Sequence, residues 1–192
     1  FDERGKVRLS MKIVDQATGT RTLVPLAQAA DGVIEGDGGM YFVRIPYNGS
    51  HTKRYKGGTI EQIWRWSGKD ADEAVNLTGD FDGTSRRPMV WSGRVYFASD
   101  RDGYMNLWSM GKDGKDLKQH TTLSSYDMYG TNMDAGRVIY QLGADLHVFD
   151  IAKAKDQALS NTLASDLDHT RERWNTKPTD FVTSAHLSPD GD

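Results

Sequence analysis

A short pattern that returns at intervals of about forty residues is the feature that most limits the fold of this chain. Residues 38–42, 93–97 and 136–140 each combine glycine with a run of apolar residues. A second apolar pattern follows each of them, at residues 62–66, 106–110 and 145–149. Repeats of this length built from short strands are typical of β-propeller blades. Because one blade cannot bury its apolar faces alone, the repeat predicts several packed blades.

The middle repeat divides most clearly into strands. We predict strands at residues 88–91, 94–99, 105–110 and 117–121, with Asp-Gly turns between the later strands. Within 94–99, Val95 and Phe97 share one face, and Tyr96 and Ala98 share the other. Both faces are apolar, so this sheet is expected to lie between two neighbouring blades.

The whole chain is predicted to be an all-β propeller of four-stranded antiparallel blades, with three whole blades and two partial ones. Residues 1–160 would be the C-terminal blades of a first propeller. Residues 161–180 lack a strand pattern and are expected to be a linker that could include one short helix. Residues 181–192 are expected to hold the first strand of a following propeller. Since these blades cannot close a ring, we expect the chain to be part of a longer protein.

Composition narrows the range of functions. The 192 residues carry a net charge of −3, which is too mild to favour binding to nucleic acid or an anionic membrane. No apolar run approaches the length of a membrane-spanning helix. Cysteine is absent, which excludes disulfides and thiolate chemistry within these residues. We therefore expect a globular protein with no nucleic acid and no membrane as partners.

Sequence signatures of catalysis and of metal or cofactor binding are missing. Ser50-His51 and Ser184-Ala185-His186 bring serine near histidine in sequence, but closeness in sequence does not establish the geometry of a catalytic pair. Neither a Gly-x-Ser-x-Gly elbow nor a glycine-rich phosphate loop occurs. Phe81-Asp82-Gly83 and Asp100-Arg101-Asp102-Gly103 lack calcium-loop spacing and are expected to bond turn amides. The chain is predicted to have no catalytic residues, no cofactor and no metal site.

The remaining histidines and most tryptophans are expected to have packing roles. His120 and His147 occupy positions that other repeats fill with large apolar residues. An aromatic set is expected to form the core between blades: Trp64, Trp66, Trp91, Trp108, Phe97 and Tyr140. A sugar-stacking platform is the alternative for these rings, and it would need several of them on one open face.

An insertion separates the first whole repeat from the others. It has about eleven extra residues between its second and third strands, within residues 46–58. This stretch concentrates His51, Lys53, Arg54 and Lys56 in a chain of net negative charge. Long loops on a propeller are common contact surfaces. We predict a contact loop that attracts acidic side chains or peptide carboxylates, with a solvated hairpin tip as the alternative.

Three stretches of this sequence resemble the N-terminal propeller of tricorn-type proteases. They are residues 49–65, with the motif Tyr55-Lys56-Gly57-Gly58-Thr59, residues 93–110, with Ala98-Ser99-Asp100-Arg101-Asp102-Gly103, and residues 140–146. Arg171-Glu172-Arg173-Trp174 and residues 184–192 extend the resemblance, which covers the chain from Asp37 onward. The basic insertion and the Asp-Arg-Asp-Gly turn occur together, which makes the match more specific than that to a generic propeller.

The resemblance implies a non-catalytic role within a serine-type peptidase. The family carries two propellers, a PDZ domain and a peptidase core, and no position here matches the family's catalytic residues. The chain would help to channel or select peptides for a downstream peptidase core, in a homo-oligomer. The implied compartment is the cytoplasm, with the periplasm as the alternative. Two other classes stay open: a TolB-like protein-binding module, and a propeller enzyme acting on sugars.

Overall fold

The computed structural model is an arrangement of antiparallel β-sheets. It describes residues 12–26, 28–45, 53–69, 73–160, 170–172 and 174–191. The chain divides into two compact units, Phe1–Ser160 and Asn161–Asp192.

The described residues of the first unit contain all of the strands. They are β1 (Lys12–Val14), β2 (Arg21–Leu23), β3 (Ala30–Ile34), β4 (Met40–Val43), β5 (Ile63–Trp66), β6 (Val75–Asn76), β7 (Ser85–Trp91), β8 (Arg94–Ser99), β9 (Asn106–Gly111), β10 (Lys118–Gln119), β11 (Met128–Asp134), β12 (Arg137–Leu142), β13 (Asp145–Asp150) and β14 (Lys155–Ala158). β1 and β2 form a two-stranded sheet, and three four-stranded sheets follow, β3 to β6, β7 to β10 and β11 to β14. Each strand pairs antiparallel with the next along the chain. These meanders confirm the predicted blades, and within the described residues they form no closed ring.

The fourth strands of the first two whole sheets are short for the same reason, and β10 is shorter than the strand predicted at 117–121. The Thr78 hydroxyl accepts the backbone N–H of Ile63 at 3.0 Å, and the Thr121 hydroxyl accepts that of Leu107 at 2.8 Å. Both threonines are buried. A side-chain oxygen thus replaces a backbone carbonyl near the start of each third strand, so the backbone ladder stops shortly after β6 and β10.

Apolar clusters fill the spaces between successive sheets. On one face of the first whole sheet, Met40, Phe42 and Trp66 pack with Val24 and Ala29 from the segment between β2 and β3. Between the first and second whole sheets lie Tyr41, Ile63, Val95, Phe97 and Met110. Between the second and third lie Met89, Tyr96, Ala98, Met105, Leu107, Met128, Val138, Tyr140 and Phe149. Tyr41 and Phe42 are adjacent and fully buried on opposite faces, as expected for a sheet between two neighbours.

The predicted aromatic core is only partly correct. Trp66, Phe97 and Tyr140 are buried, and Trp64 and Trp108 are half-buried against the apolar clusters. The prediction for Trp91 is wrong, because 40% of this residue is exposed. Trp91 is the last residue of β7, and its indole lies over Gly136 in the turn between β11 and β12. The ring therefore covers a neighbouring turn at the rim instead of filling the space between sheets.

His120 and His147 are the described histidines of the first unit, and each packs against residues of its own sheet. His120 lies half-buried, 5.3 Å from the Tyr96 ring centre, and its Nε2 is 2.8 Å from the Ser109 hydroxyl. Burial lowers the pKa of His120, and the nearby charges of Arg94 and Lys118 act in the same direction. His147 stacks on Tyr140 and pairs with Asp156 at 2.8 Å. These contacts agree with the predicted packing roles.

The second unit has one short helical element among its described residues. Pro178–Phe181 forms a 3-10 turn, and Pro178 suits its start because the ring fixes φ and lacks an N–H. No strand is assigned within 170–172 or 174–191. The strand expected at 181–192 stays a prediction, as do the proposed domain boundaries.

Truncation of Phe97 tests the packing between blades. Phe97 is fully buried between the first and second whole sheets, so Phe97→Ala should lower the free energy of unfolding by about 3–5 kcal/mol. Denaturant titration of the full-length protein measures this loss. Tyr126→Ala removes a ring that is 60% exposed and should change stability by less than about 0.5 kcal/mol. Equal effects of the two substitutions would contradict the assignment of Phe97 to a blade interface.

Candidate functional site

The segments between β4 and β5, β6 and β7, β8 and β9, and β10 and β11 lie at one end of the sheets. This follows from the antiparallel order, because alternate connections in a meander return to the same end. We call these segments the long-loop end. The described part of the basic insertion, residues 53–58, belongs to it, whereas His51 lies outside the described residues.

Lys53 reaches from the insertion to the start of the third whole sheet. Its ammonium group is 3.1 Å from Asp127 Oδ2, and the Asp127 side chain is only 8% exposed. The other oxygen of Asp127 accepts the backbone N–H of Met105 at 3.0 Å. One buried carboxylate therefore joins the insertion to two successive sheets.

Arg54 contacts the turn between β8 and β9. Its Nε donates to the Gly103 carbonyl at 2.8 Å, and its guanidinium lies 5.6 Å from the Tyr104 ring centre. Gly103 has a φ of 97°, and a Cβ at this position would come within 3.3 Å of the guanidinium. Glycine therefore serves both the backbone of this turn and the close approach of Arg54.

Lys56 makes the most exposed of the three contacts. Its ammonium group is 2.8 Å from Asp82 Oδ2, with the two side chains 64% and 68% exposed. The Lys56 hydrogen bond lowers the pKa of Asp82. Lys53, Arg54 and Lys56 thus all have partners within this chain. The prediction that they recognise external acidic groups stays a prediction.

Two further carboxylates at this end are held in poorly solvated surroundings. Burial raises the pKa of Glu61, although Arg86 at 3.4 Å acts in the opposite direction. Burial likewise raises the pKa of Asp100, whose Oδ1 accepts the Thr84 N–H at 2.8 Å. These groups support loop geometry through their hydrogen bonds with Arg86 and with the Thr84 N–H.

A groove lies where the first strands of the three whole sheets converge. β3 lies against β7, and β7 lies against β11. We call β3, β7 and β11 the innermost strands. The groove has a volume of about 360 Å³ and is lined by residues 31–33, 87–90 and 131–133. Each innermost strand is at the edge of its sheet, so backbone groups of three sheets line the groove.

Each innermost strand has a β-bulge at the equivalent position. One extra residue separates paired positions Ala30 and Val33 in β3, Arg86 and Met89 in β7, and Tyr129 and Asn132 in β11. The bulged segments contain Asp31, Arg87 and Gly130, with φ values of 46°, 55° and 58°. Glycine adopts this backbone freely, whereas Asp and Arg bear a cost of about 1–2 kcal/mol each. The bulges bend the free edges and interrupt their hydrogen-bonding pattern.

Asp31 and Arg87 form an ion pair between adjacent sheets at the groove. Arg87 Nη1 is 3.3 Å from Asp31 Oδ1, and the two side chains are 44% and 24% exposed. Opposite them, Thr131 is buried, and its hydroxyl has no hydrogen-bond partner among the described residues. The groove therefore presents charged and polar groups that are only partly satisfied.

Sequence reasoning missed the bulges and the pair that they carry. Repeat alignment alone does not reveal them, because Asp31, Arg87 and Gly130 share no side-chain chemistry. Pro88 was the available signal. Proline lacks the N–H needed inside a sheet, so it indicates an edge strand or a bulge. Pro88 follows the positive-φ residue of β7, at the free edge.

Other clusters offer no accessible reaction centre. The Ser109 hydroxyl contacts His120, but Ser109 is fully buried within the second whole sheet. Ser184 and His186 are exposed in the second unit, and Ser50-His51 lies outside the described residues. Among the residues that the structure describes, no three carboxylate or imidazole side chains group as metal ligands. No helix in that part of the chain is long and apolar enough to cross a membrane.

Fold and blade packing define this chain as a β-propeller protein. It superposes on the crystal structure of the tricorn protease with a TM-score of 0.71 and 24% sequence identity, over 82% of this chain and 15% of that chain. A putative TolB from Agrobacterium tumefaciens superposes with a TM-score of 0.57 and 15% identity, over 78% and 55% of the two chains. Both likenesses concern the fold alone.

The chain belongs to the tricorn protease N-terminal β-propeller domain family, whose family model matches residues 3–155. It is similar to the tricorn protease of Thermoplasma volcanium, with 31% identity over 156 residues that cover 81% of this chain. It is also similar to a tricorn protease homolog of Saccharolobus solfataricus, with 36% identity over 116 residues and 59% of this chain. These matches span only 15% and 10% of the relatives' own lengths.

Two single substitutions test which basic contact stabilises the long-loop end. Lys53→Ala leaves the buried Asp127 carboxylate without its counter-ion and should cost about 1 kcal/mol of stability in the full-length protein. Lys56→Ala breaks a pair between exposed groups and should produce no measurable change. Denaturant titration compares the two variants at the same salt concentration. A larger loss for Lys56→Ala than for Lys53→Ala would contradict this ranking.

Proposed function

We propose that this chain forms the wall of a peptide passage in a larger tricorn-type serine protease. The chain itself supplies no catalytic residue, and a peptidase core elsewhere in the full-length protein performs the hydrolysis. The observation that carries this proposal is the groove between the innermost strands of three adjacent blades. Family membership supports the link to proteolysis, because the similar proteins are named as tricorn proteases.

The groove suits passage better than tight retention of a peptide. Its walls are three strand edges, which in an unbulged state could each pair with an extended peptide. The bulges at Asp31, Arg87 and Gly130 interrupt those edges at one level of the groove. A peptide would therefore meet side chains and scattered backbone groups instead of a continuous ladder.

Under this proposal, contacts at the long-loop end stabilise the wall of the passage. Lys53 and Arg54 connect the insertion of the first whole sheet to the second and third sheets. The insertion would then act as a brace between blades and could also offer its exposed edge to other subunits. We propose a homo-oligomer in the cytoplasm, with peptides as the partners of the assembled protein.

Blocking the groove tests the proposed passage. These 192 residues contain no cysteine, so Asn132→Cys places a thiol in the groove, and Lys155→Cys places one on the outer strand β14 as a control. Each variant of the full-length protein is treated with a bulky maleimide, and turnover of an extended peptide is measured before and after. We expect a strong loss of turnover for the modified Asn132→Cys variant and no loss for Lys155→Cys. Absence of peptidase activity in the full-length protein, or no effect of labelling in the groove, would contradict the proposal.

A further inference from the structure

We propose that Arg87 is a carboxylate-binding contact on the wall of the groove, so that peptides bearing an accessible carboxylate are preferred there. This inference rests on the proposed function and names the chemistry that the passage recognises. It is carried by the position of Arg87, its incomplete hydrogen bonding and its unfavourable backbone conformation.

The bulge of β7 determines where the Arg87 side chain lies. A regular strand alternates its side chains between two faces, and in the middle sheet both faces are buried against neighbours. The extra residue in the bulge breaks this alternation, and Arg87 lines the groove with 44% of its side chain exposed. The neighbouring Arg86 differs, because it lies 3.4 Å from Glu61 with only 12% of its side chain exposed.

The guanidinium of Arg87 retains donors for a ligand. Arginine has five N–H donors in a planar fork that fits a carboxylate in a bidentate manner. The hydrogen bond to Asp31 uses Nη1 at 3.3 Å, longer than the 2.7–2.9 Å typical of charged pairs. Asp31 thus orients the guanidinium without occupying its fork. An incoming carboxylate can contact the remaining donors while Asp31 keeps its place.

The strained backbone conformation of Arg87 indicates a functional role for its side chain. The equivalent residue of the third whole sheet is Gly130, which suits a positive φ, and Pro88 further restricts the conformation of the residue before it. Arginine at a φ of 55° is strained, and strained residues concentrate at functional positions. Glycine at position 87 would therefore relieve strain and keep the bulge, which makes Arg87→Gly a variant that should fold.

Peptide binding to the full-length protein tests the role of Arg87. Three peptides of one extended sequence are compared by fluorescence anisotropy: one with a central Glu and an amidated C-terminus, one with Gln and the same amide, and one with Gln and a free C-terminus. We expect the Glu peptide to bind about fivefold more tightly than the amidated Gln peptide, as for a partly exposed ion pair. The preference should weaken as salt concentration rises.

Variants separate recognition by Arg87 from a general charge effect. Arg87→Gly should abolish the preference for Glu, Arg87→Lys should retain part of it, and the control Lys155→Gly on the outer strand β14 should leave it unchanged. A preference for the free C-terminus that is lost in Arg87→Gly would identify the terminal carboxylate as the ligand. A preference that survives in Arg87→Gly, or equal binding of all three peptides to the unmodified protein, would overturn the inference. If no peptide binds at all, the inference fails, whereas the proposed passage is tested separately by maleimide labelling and peptide turnover.

Discussion

The first two whole sheets of this protein each bury apolar residues on both faces, and burying both faces is the constraint on which the rest of the structure depends. Tyr41 and Phe42 show it most directly, since these neighbours in one strand are fully buried in two different clusters. A sheet of this kind has no solvated face and is stable only between two neighbours. The blades therefore stack side by side, which brings the first strands of successive sheets together. The groove is a geometric consequence of this packing.

The free edges at the groove impose a second requirement. Unpaired edges can join with any extended chain, so a passage for peptides needs edges that do not hold them. Three equivalent bulges meet this requirement with a common backbone conformation and different residues, Asp31, Arg87 and Gly130. Two of these residues bear conformational strain and together form an ion pair between sheets. The charged residues of the groove are therefore different from the apolar residues that hold the blades together.

Much of the fold could be predicted from the sequence because it depends on local pattern. The bounds of β8 were predicted correctly, since alternating apolar residues and a flanking glycine turn define them. The site was harder to predict, because it depends on pairs that are distant in sequence, such as Lys53 with Asp127 and Arg87 with Asp31. The error for Trp91 has the same origin. Trp91 lies in a sequence pattern typical of core residues. Its position at the end of β7, however, places its ring over the turn at Gly136.

The central claim is that peptides contact the innermost strands of the propeller. Photo-crosslinking of the full-length protein with a peptide that carries a benzophenone group tests this claim most directly, with the adducts located by mass spectrometry. We predict adducts within residues 31–33, 87–90 and 131–133, which line the groove. Adducts confined to the outer strands β6, β10 and β14 would contradict the account.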